Sequence, residues 1–303
     1  MAIESQRLCY QKGRGMQQPA LTSSGQTGGD GGSAVNGTTN QRRGGLSPES
    51  FLIRSNLRSL VMFSEGREED AFAVFRESIA FGYQAVGRRL GRSTEQRPHI
   101  LMTTLSLDEI VWPLGDESET GEGHHAGRSH SNESYFTMYP YVFLFEEEES
   151  TEDNSRGDCP FISLEHLCAI ISYNFAVLLH QIGMVRRTNV LGRCFSTSRC
   201  YYHQALQMWE SSSEEDRIHA ERNNRYSLMR FVLALFNNTG HLAALAGDDA
   251  ELTSSREDLE TALMRAAVLR AEDDRILETA DQSFFSSSLN KARQHTPQNA
   301  AAA

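Results

Sequence analysis

Three times along the chain, an asparagine opens an apolar run that closes on a glycine. The runs cover residues 56–66, 174–183 and 237–247. Ser59, Ala176 and Gly240 each stand seven residues before the closing glycine. A second helical pattern follows each run: Ala71, Phe75 and Ser78, then Tyr202, Ala205 and Leu206, then more loosely Ala262 and Leu263. Single hairpins of this kind cannot bury their own apolar faces and must stack on their neighbours. The spacing therefore predicts a mainly α fold of consecutive helical hairpins, with an extended binding face.

The rest of the chain is arranged around these runs. Residues 1–46 are expected to be disordered, because residues 11–46 are rich in Gly, Ser, Thr, Asn and Gln and lack the apolar content that offsets ordering entropy. Ser47-Pro48-Glu49 reads as a helix start. Phe51, Leu57, Leu60 and Val61 continue it to Gly66, and residues 68–87 form its partner. Residues 92–162 form a β-prone insertion between the first and second hairpins. It has two antiparallel strands, 99–105 and 135–145, around a polar loop at 115–133. Tyr139, Tyr141, Phe143 and Phe145 alternate as one buried sheet face, with Pro140 on an edge or at a bulge and residues 146–153 as an acidic linker.

Ser163 caps the next helix, which runs to Gly183; about ten inserted residues separate it from its partner at 199–211. Ser212 with Glu215 starts a helix that could run to Leu245, and Ser254 with Glu257 caps another. Residues 283–286 read as a short strand or a loop. The repeat domain is drawn at 47–285 and a flexible tail at 286–303.

Charge and cysteines narrow the function. The net charge is −11 and the only lysines are Lys12 and Lys291, so a nucleic-acid partner is not expected. The apolar stretches are interrupted by Asn174 and His180, or by Asn237, Asn238 and His241, so no membrane span is expected. Five cysteines without a CxxC pair indicate neither a disulfide framework nor a zinc module. With no apolar run at the N-terminus to mark a secretory signal, a cytoplasmic location is expected, with a nuclear one as the alternative.

These residues resemble tetratricopeptide repeats. Gly66, Gly183 and Gly247 match the glycine after the first helix; Ser59, Ala176 and Gly240 match the small residue where two helices cross. The order of segments is similar to a set of tetratricopeptide-like proteins abundant in diatoms. The matching pieces are Tyr173-Asn174-Phe175-Ala176 with His180, the helix from Tyr202 to Trp209, residues 237–241, and the terminal alanines. Thr239 departs from that pattern, which has leucine there. The resemblance implies a superhelix of hairpins with a small antiparallel β insertion. It implies no chemistry.

In such a superhelix the first helices line a concave groove. Asn56, Tyr173, Asn174, His180, Gln181, Asn237, Asn238 and His241 fall there or beside it. Asparagine offers an extended peptide both a donor and an acceptor. Bonds to backbone between repeats stand as the equal alternative for Asn174 and Asn238. A clamp for a terminal carboxylate would need cations, and Ala234 occupies one such position. His124, His125 and His130 with Glu122 lie in a loop without metal-ligand spacing, so neither a metal nor a cofactor is expected. Cys194 and Cys200 sit beside Arg193 and Arg199, a setting that can activate thiols. No nucleophile elbow or phosphate-binding loop is present. The expected function is a non-catalytic scaffold for a protein or peptide partner. The alternatives are an enzyme using His180 or His241, or a self-associating structural protein; the oligomeric state is left open.

Overall fold

The computed structural model describes residues 47–89, 100–109, 136–147, 162–185, 191–212, 225–272 and 279–294. The chain divides at Gly45, and everything described belongs to the second unit, Leu46–Ala303. The elements are α1 (Pro48–Ser64), α2 (Glu68–Arg89), β1 (Ile100–Ser106), a short 3-10 turn (Leu107–Glu109), β2 (Tyr141–Glu147), α3 (Leu164–Val185), α4 (Leu191–Ser211), α5 (Arg225–Ala246), α6 (Asp249–Glu272) and α7 (Thr279–Gln294). The described residues are thus mainly helical, with one antiparallel strand pair.

The helices pack as hairpins: α1 with α2, α3 with α4, and α5 with α6. Two of the turns share one chemistry. Gly66 and Gly247 have φ of 78° and 67°, a region costly for residues with a Cβ. Beyond each glycine an N–H reaches back over the last turn: Arg67 N to Met62 O at 2.9 Å, Asp248 N to Ala243 O at 2.9 Å. This closes both first helices in the same way and sends both second helices back along them. Starts follow the caps. Ser47 Oγ accepts from Ser50 N at 3.0 Å with Pro48 in the first turn, and Ser163 Oγ accepts from His166 N at 3.2 Å.

The first helices α1, α3 and α5 lie side by side, and the strands pack against them: β2 on α1 and α3, β1 on α5. The register pairs Thr104 with Phe143 and Met102 with Phe145. Phe143 and Phe145 are buried, but Tyr141 is only half-buried and Val142 on the opposite face is fully buried, so the expected one-sided alternation holds only in part. The outward face carries Leu101 and Glu146. Phe143 meets the rings of Tyr173 and Phe231 at 5.5 and 5.7 Å, so the insertion is part of the core.

Several boundaries differ from the sequence reading. The partner of α3 begins at Leu191, not residue 199; Phe195 packs against Gly183, and Ser198 Oγ bonds Ala176 O at 2.7 Å. Gly183 does not end α3. A Cβ there would lie 2.5 Å from Phe195, so it is a close-approach position inside the helix. Gly240 is small for the insertion's sake, since a Cβ would lie 2.7 Å from the Phe136 ring. Asp248 caps α6 by accepting from Glu251 N at 3.1 Å, which puts Ser254 in the helix interior. Residues 283–286 are helical. α7 runs to Gln294 and buries Phe285, Ser288, Leu289 and Ala292, so a boundary at 285 cuts through it. Pro140 precedes β2, and Glu146 and Glu147 end that strand rather than opening a linker. Residues 1–46, the loop histidines, Glu215 and Cys159 lie outside the described residues.

Candidate binding face

Asn56, Asn174, Asn237 and Asn238 project from the first helices, and all are fully buried. They are occupied by the chain's own insertion. Asn174 Oδ1 accepts from Phe143 N at 2.8 Å, and its Nδ2 donates to Phe143 O at 2.7 Å and to Asn56 Oδ1 at 3.0 Å. Asn56 Nδ2 donates to the same carbonyl at 3.1 Å. One turn of the insertion earlier the pattern repeats: Asn238 Oδ1 accepts from Tyr139 N at 2.7 Å, and its Nδ2 donates to Tyr139 O at 3.0 Å and Tyr173 Oη at 3.1 Å. Asn237 Nδ2 donates to Thr137 O at 2.7 Å. Residues 137–143 thus lie along the inner face as an extended peptide would. Each of two backbone units gives both its donor and its acceptor to one amide.

His180 and His241 join α3 to α5. His241 Nδ1 and His180 Nε2 are 2.9 Å apart, and His180 Nδ1 lies 3.3 Å from Tyr202 Oη. A single proton bridges the two imidazoles, so one ring donates and the other accepts. Burial lowers both pKa values, that of His241 to about 4 and that of His180 well below the usual range, with His241 a further cause for His180. Both rings stay neutral near pH 7. Gln181 is partly exposed and belongs to neither set.

A charged cluster that the sequence reading passed over fastens the other end of the insertion. Arg230 on α5 meets Tyr139 Oη, donates to Thr104 Oγ1 at 2.8 Å and pairs with Asp281 of α7 at 3.0 Å. Tyr139 and Tyr226 both donate to Asp281, each at 2.8 Å. The guanidinium also lies 5.1 Å from the Tyr141 ring centre. These residues stand far apart in sequence, and no local spacing links them.

Arg199 reaches Asp248 and Glu251 across the turn of the third hairpin, and His203 lies 2.7 Å from Glu251. Arg199 is thus committed to an ion pair. Cys194 and Cys200 are half-buried, whereas Cys168 is buried and its burial pushes the thiol up to about 12. Among the described residues no group of three or more potential ligands is placed to hold a metal ion. α3 is long and apolar enough to cross a bilayer by length and composition, but 83% of its apolar window is packed inside the protein.

Protein-family models, curated proteins and solved structures were compared with this chain, and none matches.

Proposed function

We propose that the protein is a non-catalytic interaction scaffold: a superhelix of tetratricopeptide-like hairpins whose inner face clamps an extended backbone, here its own. The carrying observation is the pairing of Asn174 and Asn238 with both the N–H and the C=O of Phe143 and Tyr139. A primary amide matches a peptide unit whatever its side chain, so the face reads backbone rather than sequence. Tethering gives the insertion an effective concentration on the order of millimolar, against which a free peptide competes poorly. Partner contacts therefore fall on the outer helices and the outward sheet face around Leu101. The His180–His241 pair supports this reading over the enzymatic one, because three of its four nitrogens are spent on each other and on Tyr202, and both residues are buried.

The test is affinity capture with wild type, Asn174→Ala and Asn238→Ala, each with a thermal melt. Both variants should melt lower and lose partners only as far as they unfold. Selective loss of one partner from a variant with an unchanged melt would mean that the clamp serves an outside ligand. Turnover of a substrate abolished by His180→Ala in a folded protein would overturn the scaffold reading.

A further inference from the structure

On the outer side of the hairpins, α4 and α6 both pack on α5 but scarcely on each other. The gap is a cleft of about 190 Å³. Its walls are apolar: Trp209 from α4, Met229, Val232 and Phe236 from α5, and Leu269 from α6. Among the described residues one carboxylate, Asp258, lines it, with Thr261 beside it. Ser254 Oγ approaches Asp258 Oδ2 only to 3.5 Å, too far for a strong hydrogen bond. Arg265 lines the cleft seven residues further along α6, about 10 Å away by helical rise.

We propose that this cleft is a binding site for a small amphipathic organic cation, with an aromatic or short alkyl body and one primary ammonium group. The volume sets the size. An apolar void of about 150 Å³ takes up benzene, and this one leaves room for a ring with a short arm. The walls set the body: Trp209 and Phe236 offer aromatic surface, and among the described residues no fixed charge interrupts it between Asp258 and Arg265. Asp258 sets the head group. An ammonium there replaces the water that the half-buried carboxylate has lost with a charge-assisted bond. Burial raises the pKa of Asp258 against a smaller lowering by Ser254, and the charge of an arriving cation offsets that rise. A carboxylate ligand would meet Asp258 at this end, and the chain's net charge of −11 disfavours it further. The inner-face asparagines take no part, so this site stands or falls independently of the clamp.

The test is calorimetric titration of the full chain with phenethylammonium, phenethyl alcohol and hydrocinnamate. Wild type, Asp258→Asn and Thr261→Trp are compared after thermal melts show all three folded. Asp258 is half-buried and Thr261 exposed, and both line the cleft, so a tryptophan at 261 adds bulk at its wall without entering the core. Phenethylammonium should bind wild type saturably and more tightly than the other two probes. Asp258→Asn should weaken it about tenfold or more, the worth of one charge-assisted bond. Thr261→Trp should block it. Absence of saturable ammonium binding, equal affinity for the alcohol or the carboxylate, or unchanged affinity in Asp258→Asn would each overturn the proposal.

Discussion

Replacing Asn174 by alanine isolates the clamp. The side chain makes three hydrogen bonds, to Phe143 N, Phe143 O and Asn56 Oδ1. Phe143 O keeps its bond from Asn56 Nδ2, but Phe143 N loses its acceptor in a place without water, since the residue is fully buried. Each lost bond costs about 1 kcal/mol net, and an orphaned buried donor adds about 1–3 kcal/mol. The expected loss is therefore about 4–6 kcal/mol, a large share of the roughly 5–15 kcal/mol that holds a domain together. Asn174→Asp should not rescue it: the acceptor for Phe143 N returns, but a buried charge faces the Phe143 carbonyl. Urea unfolding followed by far-ultraviolet circular dichroism measures the change as a shift in midpoint at constant slope. A loss below about 1 kcal/mol for Asn174→Ala would refute the reasoning, because surface asparagines cost no more than that.

Other perturbations have directions fixed by the same geometry. Unfolded histidines take up protons below about pH 6.5, whereas folded His180 and His241 resist doing so, His241 down to about 4. Stability is thus full above that range and falls with pH by about 1.4 kcal/mol per unit for each histidine, and a flat urea midpoint between neutral pH and about pH 5 would contradict the buried pair. Gly240→Ala should cost about 1–3 kcal/mol against the Phe136 ring, while Gly87→Ala, where an added Cβ meets nothing within 4 Å, should gain about 0.5–1 kcal/mol in thermal melts. Asp281→Ala leaves Arg230 buried without its carboxylate and should cost about 3–5 kcal/mol, more than Arg293→Ala at the exposed pair with Glu260; equal effects in unfolding titrations would count against the cluster.

Local signals were legible in the sequence where the physics is local. Gly66 and Gly247 mark turns because their φ demands glycine, and Ser47 and Ser163 mark helix starts because their hydroxyls bond the first turn. The asparagines stood out on the first helices, and an extended peptide backbone was named among their possible partners. That this backbone belongs to residues 137–143 was not legible, because nothing near Asn174 or Asn238 encodes a segment 31 or 99 residues away. The same applies to Gly240, which is small because of Phe136 rather than a helix crossing. The start of α4 was hidden because Ser196, Thr197 and Ser198 read as a loop; Phe195 on Gly183 and Ser198 on the Ala176 carbonyl override that preference. α7 was missed for a related reason. Its serines favour turns, and only the packing of Phe285 and Leu289 makes it a helix.

The central claim is that the inner face holds the chain's own strand, and native-state amide hydrogen exchange tests it most directly. Tyr139 and Phe143 donate their amides to buried asparagines rather than to a neighbouring strand. Both amides should exchange only through global unfolding, as slowly as the core of α3, and Asn238→Ala and Asn174→Ala should speed each one selectively. Exchange of either amide at the rate of an open loop in the wild type would mean that the inner face is vacant in solution and that the clamp account is wrong.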